Sequence, residues 1–247
     1  MNDGNKVDNM KELYYSISNE VFALYPGYSR GVVLAYNVTN RESPEELISL
    51  LRQAEASVRE RMNIETIAEY PKIKAWREAY RLFGAKPSEF RSSTEALARR
   101  ALRNDQMPTI NALVDIGNVI SLRHTVNVGG HAMDVLQQDI ALRPAAGSEV
   151  FIPFGSDQAE SPLPGEIIFV EGDTVLTRRW TWRQANHTLT QMTTKSIEFN
   201  VDGLPPVTIS EVEAICGEVA EMVQHFCGGT TRHEILTQAH PVIKISE

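Results

Sequence analysis

Residues Arg91–Glu149 read RSSTEALARRALRNDQMPTINALVDIGNVISLRHTVNVGGHAMDVLQQDIALRPAAGSE, and within this stretch the chain changes its hydrophobic period. Over Ser92–Arg103 and again over Ile110–Leu122 the apolar residues recur every three or four positions, which predicts two helices separated by Pro108. From Ile140 the pattern becomes short apolar runs between Gly and Pro turns, which predicts strands. Polar side chains interrupt the second helix. Asp115 and Asn118, at i and i+3, share one face with Leu113, Val114 and Ile120. A buried polar group is costly unless hydrogen-bonded, so the two either brace a loop or line a pocket. Gly129–Gly130 then gives the backbone room just before His131, and Asp134 follows at a spacing that would let its carboxylate hold the ring.

Outward on the N-terminal side, Lys72–Phe83 predicts another helix, bounded by Gly84 and Pro87. Ser43, Pro44 and Glu46 form a capping-box pattern ahead of a helix with Leu47, Leu51, Ala54 and Val58 on one face. Glu12–Ile17, Val21–Leu24 and Gly31–Val38 predict strands, with PGYSRG as the turn before the last. On the C-terminal side strands are expected at 140–145, 149–155, 165–172, 175–184 and 195–203. A final helix should open at Thr208, with Glu211 completing a cap, and stop at Gly228–Gly229. Strands, then helices, then strands and a closing helix make an α+β arrangement. No linker-like composition divides it, so one domain over 1–247 is expected.

Composition narrows the function classes. The 247 residues are 42% hydrophobic with a net charge of −8, which argues against a DNA-coating protein. The apolar runs are too short to span a bilayer, and the polar N-terminus has no secretion-signal core, so a cytoplasmic protein without a membrane partner is expected. Cys216 and Cys227 lie eleven residues apart in one expected helix, roughly 16 Å, beyond disulfide reach. His225, Cys227 and His233 match no common metal-ligand spacing, and no nucleophile elbow, phosphate loop or HExxH is present. No metal or cofactor is therefore expected.

Charge is unevenly spread. No acid falls between Asp173 and Glu198, where Arg178, Arg179, Arg183 and Lys195 lie; Arg91, Arg99, Arg100 and Arg103 form a second basic stretch against Glu95 alone. Such patches can hold a few phosphates of a single-stranded end. If 175–183 is a regular strand, Arg179 and Arg183 share one face while Trp180, Trp182 and Arg178 share the other.

The opening stretch resembles the tRNA-editing B3/B4 domain of the phenylalanyl-tRNA synthetase β subunit. There the pattern runs approximately Arg-Arg-Leu, Arg-Pro-Ile-Asn-Asn-Val-Val-Asp, Thr-Asn-Tyr-Val, then Gly-Gln-Pro-Leu-His-Ala-Phe-Asp and a strand ending Val-Arg-Ala. The counterparts here are Arg99, Pro108, Ile110–Asn111, Val114–Asp115, Asn118, Gly129, His131–Ala132, Asp134 and Arg143. Weaker similarity extends over residues 70–200.

The resemblance implies a single-domain three-layer β/β/α sandwich acting as a freestanding trans-editing hydrolase. Its substrate would be the ester joining a wrong amino acid to the terminal adenosine of tRNA. His131 would line the catalytic pocket, with Asp115, Asn118, Gly129, Gly130 and Gln184 binding the substrate. Arg99, Arg100, Arg178, Arg179 and Arg183 would contact the tRNA. An aminoacyl ester is already activated, so a positioned water and oxyanion donors suffice. The family's Gly-Gly-Glu element aligns with Arg183-Gln184-Ala185 and has no acid here, which puts tyrosine selection in doubt. Freestanding relatives point instead to an arginine analogue, canavanine, on arginine tRNA, for which Glu166, Asp134 or Asp115 would have to supply a carboxylate. The alternatives are a tRNA- or amino-acid-binding module without hydrolysis, a tyrosyl-tRNA(Phe) deacylase, and an enzyme acting on small amino-acid esters or amides.

Overall fold

The computed structural model describes residues 12–103 and 106–247; the polar stretch read as lacking a secretion signal lies mostly outside them. In chain order the elements are β1 (Tyr14–Ile17), α1 (Asn19–Leu24), β2 (Ser29–Tyr36), α2 (Glu45–Arg61), α3 (Pro71–Leu82), α4 (Ser93–Leu102), α5 (Ala112–His124), β3 (Asn127–Ala132) and β4 (Ile140–Pro144). There follow β5 (Ile167–Glu171), β6 (Thr174–Arg178), β7 (Arg183–Gln184), β8 (Ile197–Gly203), α6 (Ile209–Cys227), β9 (Thr230–Leu236) and β10 (Val242–Lys244).

The strands form two sheets, ordered β10-β1-β4-β5-β6-β7 and β3-β8-β2-β9. Strand β2 is buried along its whole length because both its faces are covered. Val33 and Ala35 pack with α2, α5 and α6 in one core; Val32 and Leu34 pack with Tyr15, Leu142 and Phe169 of the other sheet. Period-two alternation thus divides the apolar residues of one strand between two cores, giving sheet, sheet and helices in three layers. The α+β arrangement is as expected.

Helix starts follow their caps. Ser92, Asn111 and Thr208 accept hydrogen bonds from the amides of Glu95, Val114 and Glu211, so α4, α5 and α6 begin just after them. The capping box at α2 is a correction. The N-cap is Pro44, and the Ser43 hydroxyl donates to Asp115 Oδ2 at 2.5 Å. A long-range acceptor wins the serine from its own helix.

Three strand expectations also change, and two strands appear where none was expected. Val21–Leu24 belongs to the short helix α1, which buries Val21 and Phe22; four apolar residues carry no period that separates helix from strand. Residues 149–155 make isolated bridges at Val150, Phe151 and Pro153 instead of a ladder. The expected strand at 175–184 breaks after Arg178, because Arg179 and Trp180 adopt left-handed φ of 48° and 64°. Strands β9 and β10 were not expected, since the alternation in TTRHEIL is mostly polar. The glycine stop does occur. At Gly229, φ is 80° and an added Cβ would lie 2.3 Å from the Tyr36 carbonyl, so glycine is required where the chain leaves α6 for β9.

Candidate active site

A cavity of about 610 Å³ lies between the sheets and around the edge strand β3. Its floor follows from strand register. On the face of the four-stranded sheet that meets the other sheet, three rows cross β2, β8 and β3: Arg30–Asp202–Asn127, then Val32–Asn200–Gly129, then Leu34–Glu198–His131. Phe169 and Thr177 of the second sheet close the cavity from above, with Trp182, Arg183, Gln184 and the 62% exposed Phe154 also lining it. Gly129 makes the space: an added Cβ there would have no heavy atom within 4 Å.

His131 sits at one end, 4% exposed. Its Nδ1 lies 2.6 Å from Thr188 Oγ1 and 3.3 Å from Gln184 Nε2, and its Nε2 lies 3.1 Å from Thr177 Oγ1. The Gln184 amide nitrogen also lies 3.0 Å from the Gly130 carbonyl and 3.3 Å from the Thr188 carbonyl, which marks it as the NH₂ end, its two hydrogens shared among three acceptors. Nδ1 is therefore the acceptor, and Nε2–H donates to Thr177. Burial, followed by the nearby charges of Arg30 and His187, pushes the His131 pKa down to about 3. The ring is neutral, with both nitrogens engaged. The expected orienting carboxylate is elsewhere, since Asp134 accepts from the Lys195 amide at 2.8 Å.

The edge strand adds a backbone group. Val128 N–H donates to Ser121, the Gly130 carbonyl accepts from Gln184, and Ala132 N–H donates to the Thr188 carbonyl. The even-numbered residues of β3 thus turn their backbone away from β8. Gly130 N–H shares that direction and has no acceptor among the described residues. Gly130 also admits no side chain easily, since its Cβ would stand 3.0 Å from Ile197.

At the other end lies a buried polar network. Arg30 Nε donates to Asp202 Oδ1 at 2.7 Å and Nη1 donates to Tyr15 Oη at 2.6 Å, while Tyr28 Oη donates to the same Asp202 oxygen at 2.5 Å. Tyr15 in turn donates to Asn200 Oδ1 at 2.6 Å, and Asn200 Nδ2 donates to Glu198 Oε1 at 3.0 Å. Glu198 Oε2 has no protein partner, and burial raises this carboxyl to about 8 against the opposing pull of Arg30.

The expected site residues separate accordingly. Asn118, Gly129, Gly130, His131, Arg183 and Gln184 all line the cavity. Asp115 does not. Its carboxylate accepts from Ile110 N and Ser43 and braces the entry to α5. The wet basic face of residues 175–183 is a correction. Arg178 and Arg179 are 6% and 8% exposed; Arg178 Nε donates to Glu166 at 2.8 Å, and the Arg179 guanidinium lies 3.7 Å from the Phe90 ring centroid. The left-handed backbone at Arg179 ends the alternation that put it on a solvent face. Arg99 is paired to Glu95 at 2.8 Å, while Arg100 and Arg103 are exposed. Glu166 is committed to the two arginines. Sequence reasoning missed Thr177, Thr188, Arg30, Asn200 and Asp202. The alternation Glu198-Phe-Asn-Val-Asp202, polar on the face turned from the helices, was the available signal for the last two.

His225 pairs with Glu46 at 3.1 Å, and among the described residues no group of three His, Cys, Asp or Glu is placed to hold a metal ion. Cys216 and Cys227 are buried and unbridged. Among the described residues no helix is long and apolar enough to cross a membrane.

The B3/4 domain family model matches residues 75–239. Among solved structures, an N-terminal fragment of the phenylalanyl-tRNA synthetase β-subunit from Pyrococcus horikoshii is similar at 11% identity and a TM-score of 0.48. The similarity covers 88% of this chain and 50% of that one, so the chain spans about half that structure's length. No curated protein matches the sequence.

Proposed function

The chain belongs to the B3/4 domain family, and from that premise we propose that it is an aminoacyl-tRNA deacylase. The observation that carries this reading is the unpartnered Gly130 N–H at the cavity edge, beside Gln184 and a neutral, immobilised His131. In the proposed reaction a water oxygen attacks the ester carbonyl carbon. The oxyanion that forms accepts a hydrogen bond from Gly130 N–H. Gln184 Oε1, which has no partner among the described residues, accepts from the attacking water. The bond from the acyl carbon to the ribose oxygen breaks, and that oxygen takes the proton the water gives up. His131 acts as a positioning residue that fixes Gln184 and Thr188, because neither ring nitrogen is left to accept a proton from water.

The polynucleotide would approach past Trp182, which lines both this cavity and a surface groove with Arg91, Arg99 and Arg103. Of these arginines Arg103 is exposed, and a cationic groove beside an aromatic ring suits a single-stranded tRNA end. An arginine-like cargo such as canavanine belongs to the same proposal. Asp115, Asp134 and Glu166, the acids first considered for it, do not line the cavity; Asp202 does.

Deacylation of a panel of mischarged tRNAs tests the reading. The parent should release at least one amino acid faster than buffer does. Gln184→Leu and His131→Ala should each slow that release by about tenfold or more, equivalent to ~1.4 kcal/mol of barrier. Binding of the panel without release would leave a tRNA-binding module instead.

A further inference from the structure

The sheet β3-β8-β2-β9 has two edges, and the chain treats them differently. At β3 the outward Val128 N–H, Gly130 C=O and Ala132 N–H are taken by Ser121, Gln184 and Thr188. Strand register carries the backbone direction across to the other edge. Odd-numbered residues of β3 bond to even-numbered residues of β8, and odd-numbered β8 to odd-numbered β2, as Phe199 to Val33. Even-numbered β2 then bonds to even-numbered β9, as Leu34 to Arg232. Thr231, His233 and Ile235 therefore turn their N–H and C=O groups outward, and among the described residues none of these groups has a partner. His233, in the middle, is exposed.

We infer that a second copy of this chain docks on the open edge, β9 against β9 and antiparallel, about a two-fold axis at His233. Such a contact sets residue i against residue j and j against i. With the axis at His233, Arg232 lies directly opposite Glu234 of the second copy, and Glu234 opposite its Arg232. Within one chain the two side chains already share a face, Arg232 Nη1 donating to Glu234 Oε1 at 2.6 Å, and each is more than a third exposed. Thr231 meets Ile235 of the second copy, and the outward groups of all three residues find partners. Opposite charges facing across an antiparallel pair stabilise it, and like charges oppose it. Moving the axis to Arg232 or to Glu234 would set Arg232 against Arg232 or Glu234 against Glu234. Charge on an edge strand usually keeps neighbouring strands away. Here the order Arg-His-Glu is its own complement, and it selects one register.

The pairing joins two four-stranded sheets into one continuous sheet, with a β3 strand at each end. The cavity lies around β3, at the edge away from the contact, so each copy keeps its own site. The inference therefore stands apart from the deacylase reading.

Sedimentation equilibrium of the full-length protein tests this. At about 100 μM, where an interface with a Kd of ~10 μM is mostly dimeric, it should report twice the chain mass. His233→Pro removes the central outward N–H and no bond to β2, so it should give a folded monomer. Arg232→Glu and Glu234→Arg should each be monomeric alone, because each sets like charges across the axis. An equimolar mixture of the two variants should recover the dimer, since every Arg then faces a Glu. Arg232→Glu also gives up a contact with the Lys244 carbonyl; if that variant does not fold, His233→Pro and Glu234→Arg decide. A monomeric parent, a dimer that survives His233→Pro or Glu234→Arg, or a mixture of folded variants that stays monomeric overturns the inference.

Discussion

Glu198 and His131 face each other across β8 and β3, and burial holds both neutral in the folded protein. Their effects on stability have opposite signs. His131, lowered from 6.5 to about 3, disfavours the folded state at low pH, so stability rises as pH climbs from 3 to 6.5. Glu198, raised from 4.5 to about 8, loses its proton on unfolding, so stability falls as pH rises through that window. The two oppose one another between 4.5 and 6.5, and Glu198 acts alone above that range. Between pH 6.5 and 8 the parent should lose stability by up to about 1.4 kcal/mol per pH unit from this group. Glu198→Gln should remove the slope in denaturant titrations across the same range. The groups around Glu198 are Arg30, which favours ionisation, Asp202, which opposes it, and the amide of Asn200. An unchanged slope in the variant would place the titration elsewhere.

Strand β3 and helix α5 divide the labour of the central segment. The helix is almost wholly buried and contributes Asn118, Leu113 and Val114 to the cavity wall; the strand contributes its backbone edge. Asp115 serves the helix itself by accepting from the Ile110 amide and the Ser43 hydroxyl. Asp115→Ala leaves both donors unsatisfied and should cost about 1–3 kcal/mol in unfolding free energy. Deacylation per folded molecule should stay within about twofold of the parent, since the carboxylate does not line the cavity. A large kinetic loss at unchanged stability would move Asp115 into the site.

The charge map of the whole molecule sorts the arginines. With a net charge of −8, binding of a polyanion has to rest on a local patch. Arg178 and Arg179 are spent on Glu166 and on aromatic packing, whereas Arg100 and Arg103 face solvent on and after α4. Replacing Arg100 and Arg103 by alanine should flatten log affinity for tRNA against log salt by up to about two units. Arg179→Ala should leave that slope alone and lower stability by about 1–3 kcal/mol, through lost stacking on Phe90 and a weakened Glu166 cluster. If Arg179→Ala flattens the slope and the α4 pair does not, the approach path lies over the β6–β7 turn.

What the sequence determined by itself was local or periodic. The spacing of Leu47, Leu51, Ala54 and Val58 made α2, the caps Asn111 and Thr208 placed two helix starts, and Gly229 was obligatory at its turn. The polar positions around His131, quoted in order, carried the resemblance to the family whose model matches residues 75–239. Tertiary structure decided everything that depends on which partner a group meets. Ser43 left its helix for Asp115, and Asp134 left His131 for Lys195; Arg179 turned inward onto Phe90. The row Arg30–Asp202–Asn127 joins residues of three strands and exists only through register. A hydrogen bond or ion pair takes the best acceptor within about 3 Å in space. The chain order of the residues carries no record of that distance until the sheets are stacked.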